Sequence, residues 1–201
     1  MVKSVISDLG KVIINFDNHI FFKKIANYCP FTEHDIAELV FENFELIHYF
    51  DTGKISPEEF YKEVICRLKA EIDNLNFYAI YNDVFSLNPP VLDVLKRVRS
   101  RSRLILLSNT DVMRFGFVKK KFPEILIFDE YVLSYEVGFM KPHPQIYKEA
   151  LRKAEAEAEE CVFIDDIEGN IEAALSLGIN TILFGPKTDL EAELQKKGLI
   201  L

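Results

Sequence analysis

Short apolar runs alternating with helical patterns limit what this chain can fold into more than any other feature. Residues 2–7, 103–108, 131–133, 161–165 and 181–184 are apolar runs of strand length. From Leu104 onward such runs take turns with segments whose apolar residues recur at helical spacing, as over 143–154 and 168–177. A strand that is apolar on both faces needs cover on both sides. Parallel neighbours also need a crossover, which a helix supplies. The rhythm therefore predicts an α/β fold with a doubly wound parallel sheet. In "NPPVLDVLKRV" a further helix is expected, with Asn88 as its cap, Pro89 in its first turn, and Val91, Leu92, Leu95 and Val98 on one face. The charged tract "KAEAEAEE" (153–160) reads as a solvated helix end and turn.

Residues 16–87 break that rhythm. They show several helical patterns rich in Phe and Tyr and no convincing strand. "SPEEF" (56–60) is a helix start, with Ser56 as cap, Pro57 in the first position and Glu59 closing a capping box. The expected organisation is an α/β domain from 1–15 and 88–201, interrupted by a small all-helical domain over 16–87. Such an insertion leaves the sheet at the C-terminal edge of the first strand, where ligands bind in open α/β sheets. It is read as a cap over a site, the plainer alternative being a helical layer of a single core.

Composition excludes several functions. The net charge is −8, and no Lys/Arg cluster is long enough to follow a phosphate backbone, which argues against nucleic acid. Cys29, Cys66 and Cys161 are odd in number and lack CxxC spacing, so neither a disulfide framework nor a zinc site is expected. There is no signal-like segment, and no apolar stretch nears the ~20 residues of a membrane helix. A cytoplasmic protein with no membrane partner is expected, and nothing in the pattern sets an oligomeric state. Neither GxGxxG nor GxxxxGK[ST] occurs, which weighs against a nucleotide loop.

Chemistry-bearing residues gather at the strand ends. Asp8 follows the first strand, Ser108-Asn109-Thr110 follows "LILL", Lys141 lies in "GFMKPHP", and Asp165-Asp166 ends "CVFI". Singly each has a bland reading: a turn former, a helix cap, a surface charge. Adjacent carboxylates on a buried strand point more firmly to a cation. In a doubly wound sheet all four places lie along one edge. Carboxylates, a hydroxyl with an amide, and one ammonium suit a phosphoryl group with a magnesium ion.

In this order the motifs resemble those of the haloacid dehalogenase superfamily. "DLGKV" (8–12) is similar to its first motif except at the third position, "LLSNT" (106–110) to the second, Lys141 in "GFMKPHPQIY" to the third, and "FIDDIEGNIEAALSLGI" (163–179) to the fourth. The likeness spans nearly the whole chain and comes nearest to bacterial members acting on sugar phosphates. It implies a Rossmann-like core with a helical cap, and a magnesium-dependent phosphatase for a small phosphorylated metabolite. It further implies Asp8 as nucleophile and metal ligand, and the Gly10 carbonyl and Asp166 as further metal ligands. Asp165 would act through water or orient Lys141. Ser108 and the Asn109 backbone would hold the phosphoryl oxygens, and Lys141 would neutralise them.

Gly10 departs from the pattern, because most phosphatases of that superfamily carry a proton-transferring Asp there. Such transfer is worth about 10²–10⁴-fold. Three readings follow: a phosphatase that moves protons otherwise, a haloacid dehalogenase-type hydrolase attacking carbon, or a non-catalytic binding domain. The acidic pair argues for a metal and so against the second. Asp17 is either a substitute proton shuttle or the cap of the first helix in the insertion. Lys11 adds positive potential at the site mouth or points to solvent. His143 is a substrate contact or a helix N-terminal residue. Asn170 supports the acidic pair or caps its helix. Phe44, His48, Tyr49 and Phe50 form an aromatic patch facing the site or part of the insertion's core.

Overall fold

The computed structural model describes residues 2–199. Five parallel strands build the main sheet: β1 (Ser4–Ser7), β4 (Arg103–Ser108), β5 (Glu130–Leu133), β6 (Cys161–Asp165) and β7 (Asn180–Leu183), in the order β5-β4-β1-β6-β7. Side chains alternate between its faces, as period two requires. Val5, Leu104, Leu106, Val162 and Ile164 face one apolar cluster, whereas Ile6, Ile105, Leu107 and Phe163 face the other. Helices α6 (Pro89–Arg99), α7 (Val112–Lys121) and α11 (Leu190–Lys196) cover the first face through Leu92, Leu95, Val118 and Leu194. On the second face lie α9 (Pro144–Ala154) and α10 (Glu168–Ser176), which contribute Ile146, Tyr147, Ala150 and Ala174. Both faces of the central strands β4, β1 and β6 are covered, which is why these strands show no polar alternation, while the edge strand β7 leaves Leu183 exposed.

Register fixes the working edge. Ser7 is level with Leu106 on one side and Ile164 on the other. The next residues on each strand, Asp8, Leu107 and Asp165, therefore emerge together where chain order reverses beside β1. That is the switch point at which open α/β sheets bind ligands.

Between β1 and α6 the chain runs out through a two-stranded antiparallel ribbon, β2 (Ile14–Phe16) and β3 (Phe85–Leu87), with Asn15 opposite Ser86. The ribbon corrects the expectation that 16–87 holds no strand. Strands of three residues are too short to display a period. Five helices hang from it: α1 (Asn18–Ile25), α2 (Glu33–Glu42), α3 (Phe44–Asp51), α4 (Pro57–Leu68) and α5 (Asn74–Asn82). Their core is aromatic: Phe50 stacks on Phe60 at 4.2 Å, and Phe21, Phe77 and Tyr81 pack around them. The capping box of α4 is present, with Glu59 N donating to Ser56 Oγ and Ser56 N to Glu59 Oε2. After α3 the chain turns through Gly53 at φ +68°, where a Cβ would stand 2.3 Å from the Tyr135 carbonyl. Only glycine permits both that backbone and that approach to the short helix α8 (Ser134–Val137).

One expected cap is corrected. The Asn88 side chain makes no cap bond to α6 and instead donates to the Val12 carbonyl at 2.9 Å. Pro89 and Pro90 remove the first N–H groups that a cap would serve, so the amide is free to brace the loop after β1. Among the described residues no helix is long and apolar enough to cross a membrane. Cys29, Cys66 and Cys161 are free thiols.

Candidate active site

Asp8 continues the ladder of β1, its N–H donating to the Ile164 carbonyl at 2.9 Å. Its Oδ1 accepts from Leu9 N at 2.6 Å and lies 2.8 Å from Lys141 Nζ. Its other oxygen, Oδ2, accepts no hydrogen bond among the described residues. The chain then turns tightly, with Ile13 N and Ile14 N both donating to the Leu9 carbonyl and Lys11 in the left-handed region at φ 54°.

Lys141 arrives from the loop before α9, and its side chain is 1% exposed. An ammonium has three protons to place. Here they go to Asp8 Oδ1, to Asp165 Oδ2 at 2.7 Å and to the Leu107 carbonyl at 3.1 Å. Burial opposes the charge, but Asp8 and Asp165 outweigh it and hold Lys141 above its ordinary pKa. Asn109 clamps the lysine backbone from both sides: its Oδ1 accepts from Lys141 N at 2.8 Å and its Nδ2 donates to the Lys141 carbonyl at 2.9 Å. Ser108, also buried, ends β4 beside it, its Oγ 3.5 Å from the Asn109 carbonyl.

On the opposite side, Asp165 is fully buried and completely used. While Oδ2 binds Lys141, Oδ1 accepts from Ile167 N and from Asn170 Nδ2, both at 2.9 Å. The Asn170 carbonyl in turn accepts from the Tyr147 hydroxyl at 3.0 Å. Asp166 is different: it is half-buried and makes no ion pair among the described residues. Burial, then the neighbouring Asp165, raises its pKa, with Lys11 and Lys141 pulling the other way. Burial likewise pushes Asp8 up to about 6 despite Lys141, with Asp165 adding to the rise.

Oxygens of Asp8, Asp165 and Asp166 lie within 4.8 Å of one another. One buried ammonium does not balance three carboxylates, and burial first, with repulsion from Asp165 added, raises Asp8 and Asp166. An all-oxygen donor set with surplus negative charge fits a hard divalent cation.

Several candidates take quieter positions. Asp17 caps α1, accepting from His19 N at 2.9 Å. His143 caps α9 and stacks on Phe139 at 4.5 Å. The aromatic patch divides, with Phe50 in the insertion's core and Phe44 62% exposed. Lys11 sets its Nζ 5.6 Å from the centre of the Phe16 ring. Three features escaped sequence reasoning: the side-chain clamp of Asn109, the lysine bond to Leu107, and Phe16 itself. The Phe16 Cε1 lies 3.1 Å from where a Cβ on Gly10 would stand. None of the three has a signal in local spacing, whereas Asn170, five residues beyond Asp165 and in the first turn of α10, was readable.

Comparison with known proteins adds the family. The model for haloacid dehalogenase-like hydrolases matches residues 3–178. The chain belongs to that family. It is thus a haloacid dehalogenase-like hydrolase, with that family's fold. Among curated relatives it is 26% identical over 193 residues to a D-ribitol-5-phosphate phosphatase of Bacteroides thetaiotaomicron, covering 90% of this chain and 91% of that one. It also matches the drimenol cyclase DrtB of Aspergillus calidoustus at 23% identity, spanning 96% of this chain but only 36% of that protein. The crystal structure of a haloacid dehalogenase family enzyme from B. thetaiotaomicron superposes with a TM-score of 0.85 at 28% identity, covering 96% of this hydrolase and 98% of the other chain. The wild-type form of that enzyme, solved in complex with magnesium and inorganic phosphate, gives 0.80 at 26% identity, with 96% and 99% covered.

Proposed function

We propose that this hydrolase is a magnesium-dependent phosphatase that cleaves a small phosphate monoester, of the sugar or polyol class, through an aspartyl-phosphate on Asp8. The observation that carries the reading is the convergence of Asp8, Asp165, Asp166 and Lys141 at one sheet edge with Asp8 Oδ2 unengaged. The substrate class is supported by the ribitol-phosphate phosphatase relative.

Asp8, Asp166 and the Gly10 carbonyl would hold magnesium, with Asp165 oriented towards Lys141. When bound, the ion offsets phosphoryl charge and holds the group against its acceptor. The Asp8 carboxylate attacks phosphorus: an Asp8 O–P bond forms, and the ester P–O bond breaks with its electron pair leaving on the alcohol oxygen. Ser108 and the Asn109 N–H hold equatorial oxygens, and Lys141 keeps Asp8 ionised for attack while cancelling part of the developing charge. Gly10 has no side chain to give the leaving oxygen a proton, so solvent supplies it. Water then attacks phosphorus, the Asp8 O–P bond breaks, and inorganic phosphate leaves with Asp8 restored.

The test is phosphate release from sugar phosphates, polyol phosphates and an activated aryl phosphate, with magnesium, with EDTA, and with Asp8→Asn. Magnesium-dependent release that the substitution abolishes is the expected result. No release from any ester would overturn the proposal.

A further inference from the structure

Lys141 has no proton to spare for an incoming anion, because Asp8, Asp165 and the Leu107 carbonyl take all three. A phosphate monoester is largely a dianion at neutral pH. It must approach a mouth that holds three carboxylates, on a chain of net charge −8. A divalent ion and Lys141 together only balance those carboxylates, which leaves no surplus to attract the ester.

One cation nearby is unspent. Lys11, three residues after Asp8, is exposed and makes no ion pair and no side-chain hydrogen bond among the described residues. It lines an open groove of about 730 Å³ together with Asp166, Asn15 and Phe16. Lys11 and Lys141 are the two cations whose charge bears on Asp166. The Lys11 Nζ stands 5.6 Å from the centre of the Phe16 ring, and that ring lies against Gly10, two residues from Asp8. An aromatic face steadies an ammonium but takes none of its protons as a carboxylate would, and at exposed positions the contact is weak. The ring therefore keeps the charge beside the mouth and leaves it able to turn to an anion.

We propose that Lys11 is the cation that draws in the phosphate dianion and holds it at the Asp8–Asp166 edge, the buried Lys141 being reserved for Asp8. The inference rests on the phosphatase reading. Lys11 acts as a point charge on a flexible stem, which suits a dianion without fixing its orientation. The same charge opposes a metal ion at Asp166, so Lys11 favours the anion and disfavours the cation. A merely structural lysine would not move the two affinities in opposite directions.

The test is calorimetric binding of magnesium alone, and of inorganic phosphate at saturating magnesium. In Lys11→Met the phosphate Kd should rise about tenfold and the magnesium Kd fall about threefold. Both differences should fade as ionic strength approaches about 0.5 M. Lys11→Arg should keep both constants near those of the parent. Lys11→Asn, whose side chain is accepted at the φ of 54° found here, should match Lys11→Met in binding while melting no lower than the parent. Lys120→Met, at the exposed end of α7, should change neither constant. A phosphate Kd within about twofold of the parent in Lys11→Met, or a loss of both affinities together, would overturn the role of Lys11. So would a parent that binds no phosphate. Magnesium-dependent ester cleavage with phosphate binding unchanged in Lys11→Met would sink Lys11 and keep the phosphatase. Lys11-dependent phosphate binding by a chain that hydrolyses no ester would sink the phosphatase and keep Lys11.

Discussion

The two sides of the Asp8 pocket differ in how completely their polar atoms are used. On the Lys141 side, each lysine proton has an acceptor, both oxygens of Asp165 are bonded, and Asn109 holds the lysine backbone by two bonds. On the Asp166 side stand a half-buried carboxylate without an ion pair among the described residues, a glycine, an exposed lysine and an aromatic ring beside a groove. A saturated, buried network sets charge and position and cannot exchange partners cheaply. An unsaturated, accessible one can take a cation and a substrate from solution. On the proposed phosphatase reading, the division separates what holds the chemistry in place from what admits the reactants.

The largest effect expected is from Asp8→Asn, which lowers phosphate release by about 10⁴–10⁶-fold because the proposed nucleophile is lost. Single-turnover assays with magnesium check it. Residual activity within tenfold of wild type would place the nucleophile elsewhere. Next comes Lys141→Met, which leaves Asp8 and Asp165 buried without their cation. Breaking such a buried pair costs about 3–5 kcal/mol, read as a lower urea midpoint. A midpoint equal to wild type would mean the saturated side is not the rigid one. Asn170→Ala removes one donor from Asp165 and should cost about 1–3 kcal/mol. Activity should fall with it as Lys141 loosens, whereas Asn170→Asp at neutral pH should be worse than alanine because it faces Asp165.

A second acidic pair sharpens the comparison, since it has no lysine at its centre. Asp51 at the end of α3 lies near Asp111, the cap of α7, whose Oδ2 accepts from the Tyr81 hydroxyl at 2.9 Å and lies 3.9 Å from Arg114 Nε. Burial, then Asp111, pushes Asp51 up to about 7 against Arg114. Its ordinary value is 3.8, so the folded state binds the proton more tightly than the unfolded chain. Ionisation thus costs stability progressively as pH rises from about 4 to 7, and the full cost applies above that. Melting temperature should rise by roughly 2–4 °C between pH 8 and pH 6 and lose that dependence in Asp51→Asn. An unchanged slope in the variant would assign the effect to other groups.

The smallest change expected is from Gly10→Asp. The new Cβ needs the Phe16 ring to give a few tenths of an ångström, so turnover should change by less than about tenfold, well short of the 10²–10⁴ of a seated acid. Gly10→Asp with Phe16→Leu should exceed the single variant in turnover of the aryl phosphate. Equal rates would show that the ring is no obstacle.

Much of the body was legible before any coordinates. The central runs are strands buried on both faces, the edge strands β5 and β7 are only partly covered, and the runs at 2–7 and 181–184 differ from β1 and β7 only at their ends. The box at Ser56 and Glu59 is local chemistry and reads locally. The ribbon of β2 and β3 was not legible, because three residues show no period and their pairing spans some seventy positions. Asn88 was misread because a cap and a loop brace use the same side chain, and only the neighbouring Val12 carbonyl decides between them. Among site residues, Asp8, Asp165 and Asp166 stand at strand ends where sequence could point, whereas Lys141 was expected at one and instead comes from the loop between α8 and α9. Asn109, whose backbone alone was given a role, holds Lys141 through its side chain.

By itself the sequence determined the strands, their layering and the acidic edge, because apolar periodicity and turn residues act through neighbours along the chain. The tertiary structure decided which atoms meet: the three acceptors around Lys141, the glycine at 53 beneath Tyr135, and the ring of Phe16 over Gly10. Those pairings depend on side-chain directions across segments far apart in the chain, and local spacing carries no information about them.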